Sequence, residues 1–147
     1  KGDCKVTTIP KNRVRYILTP SGAMEKTRLT YEYIATSYNY FKTATERLRH
    51  LYAELKKENA TRIVFYGAGE LADIAWFSMT GFDVRLIDVV DPQKTGATFA
   101  HTIVKDASRL KKNDFDVVLV TAMQNHELVV HTIKKAGVST DKIRFFK

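Results

Sequence analysis

The chain has 147 residues, 44% of them apolar and 27% charged, with a net charge of +8, as expected for one soluble globular domain or a small domain with an appendage. No apolar stretch approaches the roughly 20 residues that span a bilayer, and the opening KGDCKVTTIP lacks the apolar core of a signal peptide. The single cysteine, Cys4, forms no internal disulfide and no Cys/His cluster has zinc spacing, so a cytoplasmic location without a metal is expected.

The charge is uneven. Residues 1–60 carry 12 Lys/Arg against 6 Asp/Glu, a net of +6, while residues 61–147 carry 12 against 10, a net of +2. Such asymmetry points to an anionic partner for the basic half, or to a lysine-rich solvated surface.

Residues 1–20 predict a β-hairpin. Val14, Tyr16 and Leu18 alternate with Arg13, Arg15 and Ile17, the two-residue period of a strand with one buried face. A shorter β-rich piece runs from Lys5 to Ile9, and Pro10-Lys11-Asn12 reads as the turn between them. The tip is basic, with Lys11, Arg13 and Arg15 placed to meet phosphate.

Residues 21–59 predict a very long helix, or two helices meeting near TSYNY. Thr19 suits the cap and Pro20 the first turn, where its missing N–H needs no partner. No proline or further glycine occurs from Ala23 to Asn59. Phe41, Ala44, Leu48, Leu51 and Leu55 recur at intervals of 3, 4, 3 and 4, a short coiled-coil seam. Leu29, Tyr33, Ile34, Tyr38 and Phe41 form a broader apolar stripe upstream. Either a second copy of the chain, making a homodimer, or the chain's own third segment has to cover it.

Residues 60–147 alternate strand and helix. TRIVFYG reads as a strand, ELADIAWFSMTG as a helix ended by Gly81, and DVRLIDVVD as a strand. HTIV is a short strand, DASRLKKN a short helix and FDVVLVTAM a strongly apolar strand. HELVVHTIKKAG is a helix ended by Gly137, and KIRFF a last strand. The apolar strands are nearly continuous rather than alternating, as in a parallel sheet covered on both faces. The fold class is therefore α/β: a small doubly wound, Rossmann-type parallel sheet, preceded by a β-hairpin and a long helix.

The stretch YGAGELA places Gly67-x-Gly69-x-x-Ala72 between a strand and a helix, the context in which this pattern binds a pyrophosphate. The first glycine allows the tight turn, the second lets the backbone approach the ligand, and a small third residue lets helix and strand pack closely. Gly67, Ala68, Gly69, Glu70 and Leu71 are thus the expected phosphate cradle, served by the positive end of the helix. The charge of Glu70 opposes a phosphate unless its side chain points away. The alternative is that both glycines serve packing alone. An acid at the end of the second strand would take ribose hydroxyls, and Asp88 and Asp91 lie 21 and 24 residues after Gly67. Asp91-Pro92 also suits an ordinary turn. Thr121 and Ala122, at the carboxyl end of VVLVTAM, border the same crevice, with Gln124, Asn125 and His126 in the next loop. His126 reads more readily as a capping or solvated residue than as a ligand contact.

On IVFYGAGELADIA, DPQKTG and DVVLVTAMQNHELVVHTIKKAGV, the third segment resembles the small Rossmann-type domains of the CoA-binding-like superfamily. That group includes the NADH-sensing domain of bacterial redox-sensing repressors and the N-terminal domains of nucleotide-sugar acetyltransferases. The last stretch is also similar to part of the glucose-fructose oxidoreductase family, where a histidine like His126 recurs. The resemblance implies a nucleotide ligand: NAD(H), NADP(H) or a nucleotide-sugar. Relatives carry one or two acids directly before the aspartate-proline, where this chain has Val89 and Val90, which leaves ligands other than NAD open.

RVRYILTPSGAMEKTRLTYEYI resembles the wing and following helix of winged-helix transcription regulators, in which the wing touches DNA and the long helix dimerises. The helix-turn-helix that would read bases is not in this sequence, so DNA binding is expected through a longer parent protein. Together the two resemblances imply the ligand-sensing and dimerisation portion of a transcription regulator. The alternative is the NAD(P)- or nucleotide-sugar-binding domain of an oxidoreductase or sugar-modifying enzyme, although the sequence offers no nucleophile, base or carboxylate pair. Glu127 and His131, four apart on one helix, read as a solvated pair. An empty structural dimerisation domain is a third reading.

Overall fold

The computed structural model describes residues 4–9, 13–18 and 20–146, with side chains described for residues 28–146. The chain divides into two compact units, residues 1–41 and 42–147, so the boundary falls inside the long helix.

In the first unit, β1 (Cys4–Ile9) and β2 (Arg13–Leu18) form an antiparallel pair in register from Cys4↔Leu18 to Ile9↔Arg13. Arg15 stands opposite Thr7, and Arg13 opposite Ile9. Lys11 lies outside the described residues. Helix α1 (Pro20–Lys57) follows as one unbroken element of 38 residues. Proline in its first turn and the absence of proline further on explain its start and its length. In the span 28–41, Leu29, Tyr33, Ile34, Tyr38 and Phe41 are all exposed, from 40% for Phe41 to 73% for Tyr33.

Within the second unit, α1 ends in a left-handed cap. Asn59 takes φ 58, and the N–H groups of Asn59 and Ala60 turn back to the carbonyls of Lys56 and Leu55. Asparagine tolerates that backbone better than a branched residue would, and the two bonds satisfy carbonyls that the helix leaves open.

The sheet holds β3 (Arg62–Tyr66), β4 (Arg85–Val90), β7 (Val117–Val120) and β8 (Ile143–Phe145), all parallel, in the order β4-β3-β7-β8. Between β4 and β7 come a two-residue-per-strand hairpin, β5 (Thr98–Phe99) and β6 (Thr102–Ile103), and a 3-10 turn over Ala107–Lys112. Helices α2 (Glu70–Ser78) and α3 (His126–Lys135) follow β3 and β7. Among the described residues no helix is long and apolar enough to cross a membrane.

Successive strand residues face opposite ways, so each strand feeds two cores. Ile63, Phe65, Val89 and Leu119 belong to one core with Ala72, Ala75 and Met79 of α2 and Leu48, Tyr52 and Leu55 of α1. Val64, Tyr66, Val90, Val118 and Val120 belong to the other, with Val129 and Ile133 of α3. This is the doubly wound arrangement expected from the continuous apolar strands. The carboxyl-terminal part of the seam on α1 is consumed in it: Leu48 and Leu55 are buried in the core that includes the sheet, and Ala44 is buried as well. Tyr52, also buried, donates its hydroxyl to the Ala75 carbonyl at 2.6 Å, and burial pushes its ionisation well above the ordinary tyrosine range.

Candidate functional site

The strand order places the switch point between β3 and β7. From β3 the chain crosses to β4 on one side, and from β7 to β8 on the other. The two loops therefore part at the carboxyl ends of these strands and leave a crevice between them.

Gly67 occupies the closest approach. Its φ is +122, and a Cβ there would lie 2.5 Å from the Ala122 nitrogen and 2.9 Å from its Cα. Only glycine allows the two loops to touch this way. The contact is pinned by hydrogen bonds: the Thr121 hydroxyl donates to the Gly67 carbonyl at 2.6 Å, the Thr121 and Ala122 N–H groups both donate to the Tyr66 carbonyl at 3.0 Å, and the Gly67 N–H donates to the Val90 carbonyl at 2.8 Å. Gly67 thus serves the packing of three strand ends.

Gly69 differs. It caps α2 without a side chain, in an extended conformation (φ -100). A Cβ at Gly69 would meet one atom within contact range, the Lys94 Nζ at 3.8 Å. The space over the start of α2 is open, and the first amides of a helix have no partner within it. The turn is not wholly free, however. The Ala68 N–H donates to Asp91 Oδ2 at 3.0 Å, and Asp91 Oδ1 accepts from the Gln93 N–H at 3.0 Å. Asp91 stands just past β4, where a ribose-binding acid was expected, and each of its carboxylate oxygens accepts one backbone N–H.

These elements surround a cavity of about 800 Å³. Gly67, Ala68, Gly69, Glu70, Asp91 and Thr121 line it, whereas Leu71 and Asp88, expected beside them, do not. Leu71 is 5% exposed and turned into the protein. Asp88 lies within β4 rather than at its end, and is buried in an ion-pair cluster. Its Oδ1 accepts from Lys105 Nζ at 2.9 Å and the Thr102 hydroxyl at 3.2 Å, and its Oδ2 from Arg109 Nε at 2.8 Å. Arg109 in turn grips Asp114 with both terminal nitrogens, at 2.8 and 3.1 Å. Burial alone would raise the Asp88 carboxyl, but hydrogen bonds from Lys105, the Val89 N–H and Arg109 outweigh it and hold the group below its ordinary value. Asp88 therefore locks β4 to the hairpin and the 3-10 turn. His126 caps its neighbourhood, with Nε2 2.7 Å from the Ala122 carbonyl and its ring 5.3 Å from that of Phe145. Among the described residues no group of three His, Cys, Asp or Glu is placed to hold a metal ion.

Sequence reasoning passed over two features of the cavity. Lys94 stands three residues after Asp91 in the turn DPQK, and its ammonium donates to the Ala68 carbonyl at 3.3 Å, over the glycine turn. Met123 and Leu128, 58% and 63% exposed, are apolar residues that line the same cavity. The signal for Lys94 was its place in the loop that carries Asp91. Leu128 falls off the buried stripe of α3 formed by Val129 and Ile133. Comparison of the chain with protein-family models, with curated proteins and with solved structures yields no match.

Proposed function

We propose that the chain is the ligand-sensing and dimerisation portion of a DNA-binding transcription regulator, and that its Rossmann-type unit binds a nucleotide-type small molecule at the glycine turn. The observation that carries the binding step is the open position at Gly69. It lies at the start of α2, beside the Lys94 ammonium, on a cavity of about 800 Å³ at the switch point of the sheet. A diphosphate there meets backbone N–H groups, the positive end of a helix and a lysine, while a ring system has Met123 and Leu128 to lie against.

Binding is favoured over turnover because polar groups around the cavity are engaged in holding the fold: Asp91 to Ala68 and Gln93, Thr121 to Gly67, and Asp106 to Ser108. NAD(H), NADP(H) and nucleotide-sugars are the candidate ligands. The exposed stripe on α1 between Leu29 and Phe41 suits a homodimer, and the basic residues that the sequence offers at Lys11, Arg13 and Arg15 suit DNA phosphate in the longer parent. Sensing requires the ligand to favour one arrangement of that dimer over another.

The binding step is tested by titrating NAD(H), NADP(H) and UDP-sugars into the chain by calorimetry, in parallel with Gly69→Val. The first carbon of a valine side chain meets no backbone there, so the variant folds, with a modestly lower melting temperature because valine is a poorer N-cap than glycine, and loses the ligand; binding that survives it places the ligand elsewhere. The regulatory step is tested by DNA affinity of the full-length parent with and without the bound nucleotide. An unchanged affinity removes the coupling.

A further inference from the structure

We propose that a second cavity binds a planar aromatic monocarboxylate, with Arg85 taking the carboxylate and Trp76 the ring. The cavity lies between the carboxyl end of α2, the start of β4 and the tip of the β5–β6 hairpin, at the edge of the sheet. Its volume is about 480 Å³, within the roughly 300–1,000 Å³ that small-molecule sites occupy. It shares no lining residue with the cavity at the switch point, so this site is independent of the nucleotide reading.

The wall is aromatic. Trp76 and Phe77, 39% and 65% exposed, line the cavity from a helix whose other face is buried. The ring of His101 stands 5.5 Å from that of Trp76, at 51°. The hairpin holds it there. Ala100 takes a left-handed φ of 50, unfavourable for a residue with a Cβ, and Phe99 before it is buried edge-on against Phe65. Flat faces set in place before a ligand arrives favour a ring over a flexible aliphatic chain.

The charge on this wall has one sign. Arg85 and His101 line the cavity and, among the described residues, no aspartate or glutamate does, whereas Glu70, Asp91 and Asp106 stand on the wall of the other cavity. Arg85 is exposed. Among the described residues its guanidinium has no ion-pair partner: Asp83, two residues earlier, is taken by Lys56, and the register neighbour on β3 is Arg62, a like charge. A planar guanidinium takes a carboxylate through two parallel N–H···O bonds. The cavity also lies at the negative end of the α2 dipole, so the single charge of a carboxylate suits it better than the double charge of a phosphate.

The test is calorimetric titration of benzoate and 2-naphthoate, with benzamide and phenyl phosphate as comparisons, into the 147-residue chain, Arg85→Gln, Trp76→Leu and Gly69→Val. Emission from Trp76, the chain's single tryptophan, gives a second readout in the parent chain. Both acids are expected to bind and to quench Trp76, with benzamide and phenyl phosphate weaker. Arg85→Gln, an exposed substitution that leaves the melting temperature unchanged, should lower acid affinity about tenfold, as for one hydrogen bond to a charged group, and leave benzamide unaffected. Trp76→Leu should weaken both acids, and Gly69→Val should bind them as the parent chain does. The inference is overturned by absence of acid binding to the parent chain, by undiminished binding in Arg85→Gln, or by phenyl phosphate binding as tightly as benzoate. Loss of the acids in Gly69→Val overturns it by placing them at the switch point, and a sedimentation mass halved in Trp76→Leu does so by making this face a contact between copies. The nucleotide reading stands in every case, since its own titration decides it.

Discussion

Gly67 and Gly69, two residues apart in the sequence, have different jobs, and substitution separates them. Alanine at Gly67 meets the Ala122 backbone at 2.5 Å in a left-handed conformation, so Gly67→Ala is expected to cost about 2 kcal/mol or more, read as a drop in the urea midpoint. Gly69→Ala meets only the end of the Lys94 side chain and costs about 0.5 kcal/mol, because alanine is a poorer N-cap than glycine. Asp88 gives a second prediction at this scale. Its carboxyl is held below the ordinary value, so its contribution is fully present above the unfolded value of about 4 and is lost as the pH falls through the lower folded one. Melting temperatures from pH 7 down to pH 2.5 should fall on the acid side, and less steeply in Asp88→Asn. At pH 7 that variant leaves Lys105 without its carboxylate while Arg109 keeps Asp114, at an expected cost of about 2 kcal/mol. A flat acid profile in the parent chain would show that Asp88 is not the group that titrates. Glu70 belongs here too: Glu70→Gln removes a negative charge from the cavity wall and should tighten nucleotide binding severalfold, more at low salt than at high.

At the scale of elements, α1 carries two different faces along its length. From Ala44 to Leu55 it packs on the sheet unit, with Leu48 and Leu55 fully buried. Leu48→Ala should therefore cost about 3 kcal/mol of stability, measured by denaturant unfolding. From Leu29 to Phe41 the apolar side chains are exposed. If that stretch is the dimer contact, Ile34→Asp with Tyr38→Asp should halve the mass in sedimentation equilibrium and leave the sheet unit's melting unchanged. A parent chain that sediments as a monomer would remove the dimer from the proposed function.

Across the whole molecule, a ligand that binds the folded chain alone raises its stability by mass action, by about 2.7 kcal/mol at a hundredfold excess over Kd. For a chain of this length that is a rise of roughly 5–10 °C in melting temperature. The shift should shrink as salt is added, because the anion is held largely by Lys94 and the helix start. A shift that ignores salt would point instead to the apolar wall of Met123 and Leu128 as the main source of affinity.

The sheet and its windings were legible in the residues. Near-continuous apolar strands at Ile63–Tyr66 and Val117–Val120, spaced by helices and glycine stops, have no other compact solution than a parallel sheet covered on both faces. The glycine turn was legible for the same reason: its pattern is local, and so is the bend it permits. Local pattern could not assign the partners of side chains far apart in sequence. The spacing of Asp88 and Asp91 from Gly67 suited ribose binding for both. Only the folded chain brings Lys105 and Arg109 to Asp88, and sets the Ala68 N–H against Asp91 across 23 residues. The seam on α1 likewise fitted a second copy or the chain's own sheet, since burial depends on which apolar face lies nearest, and the periodicity of one helix is the same for either partner.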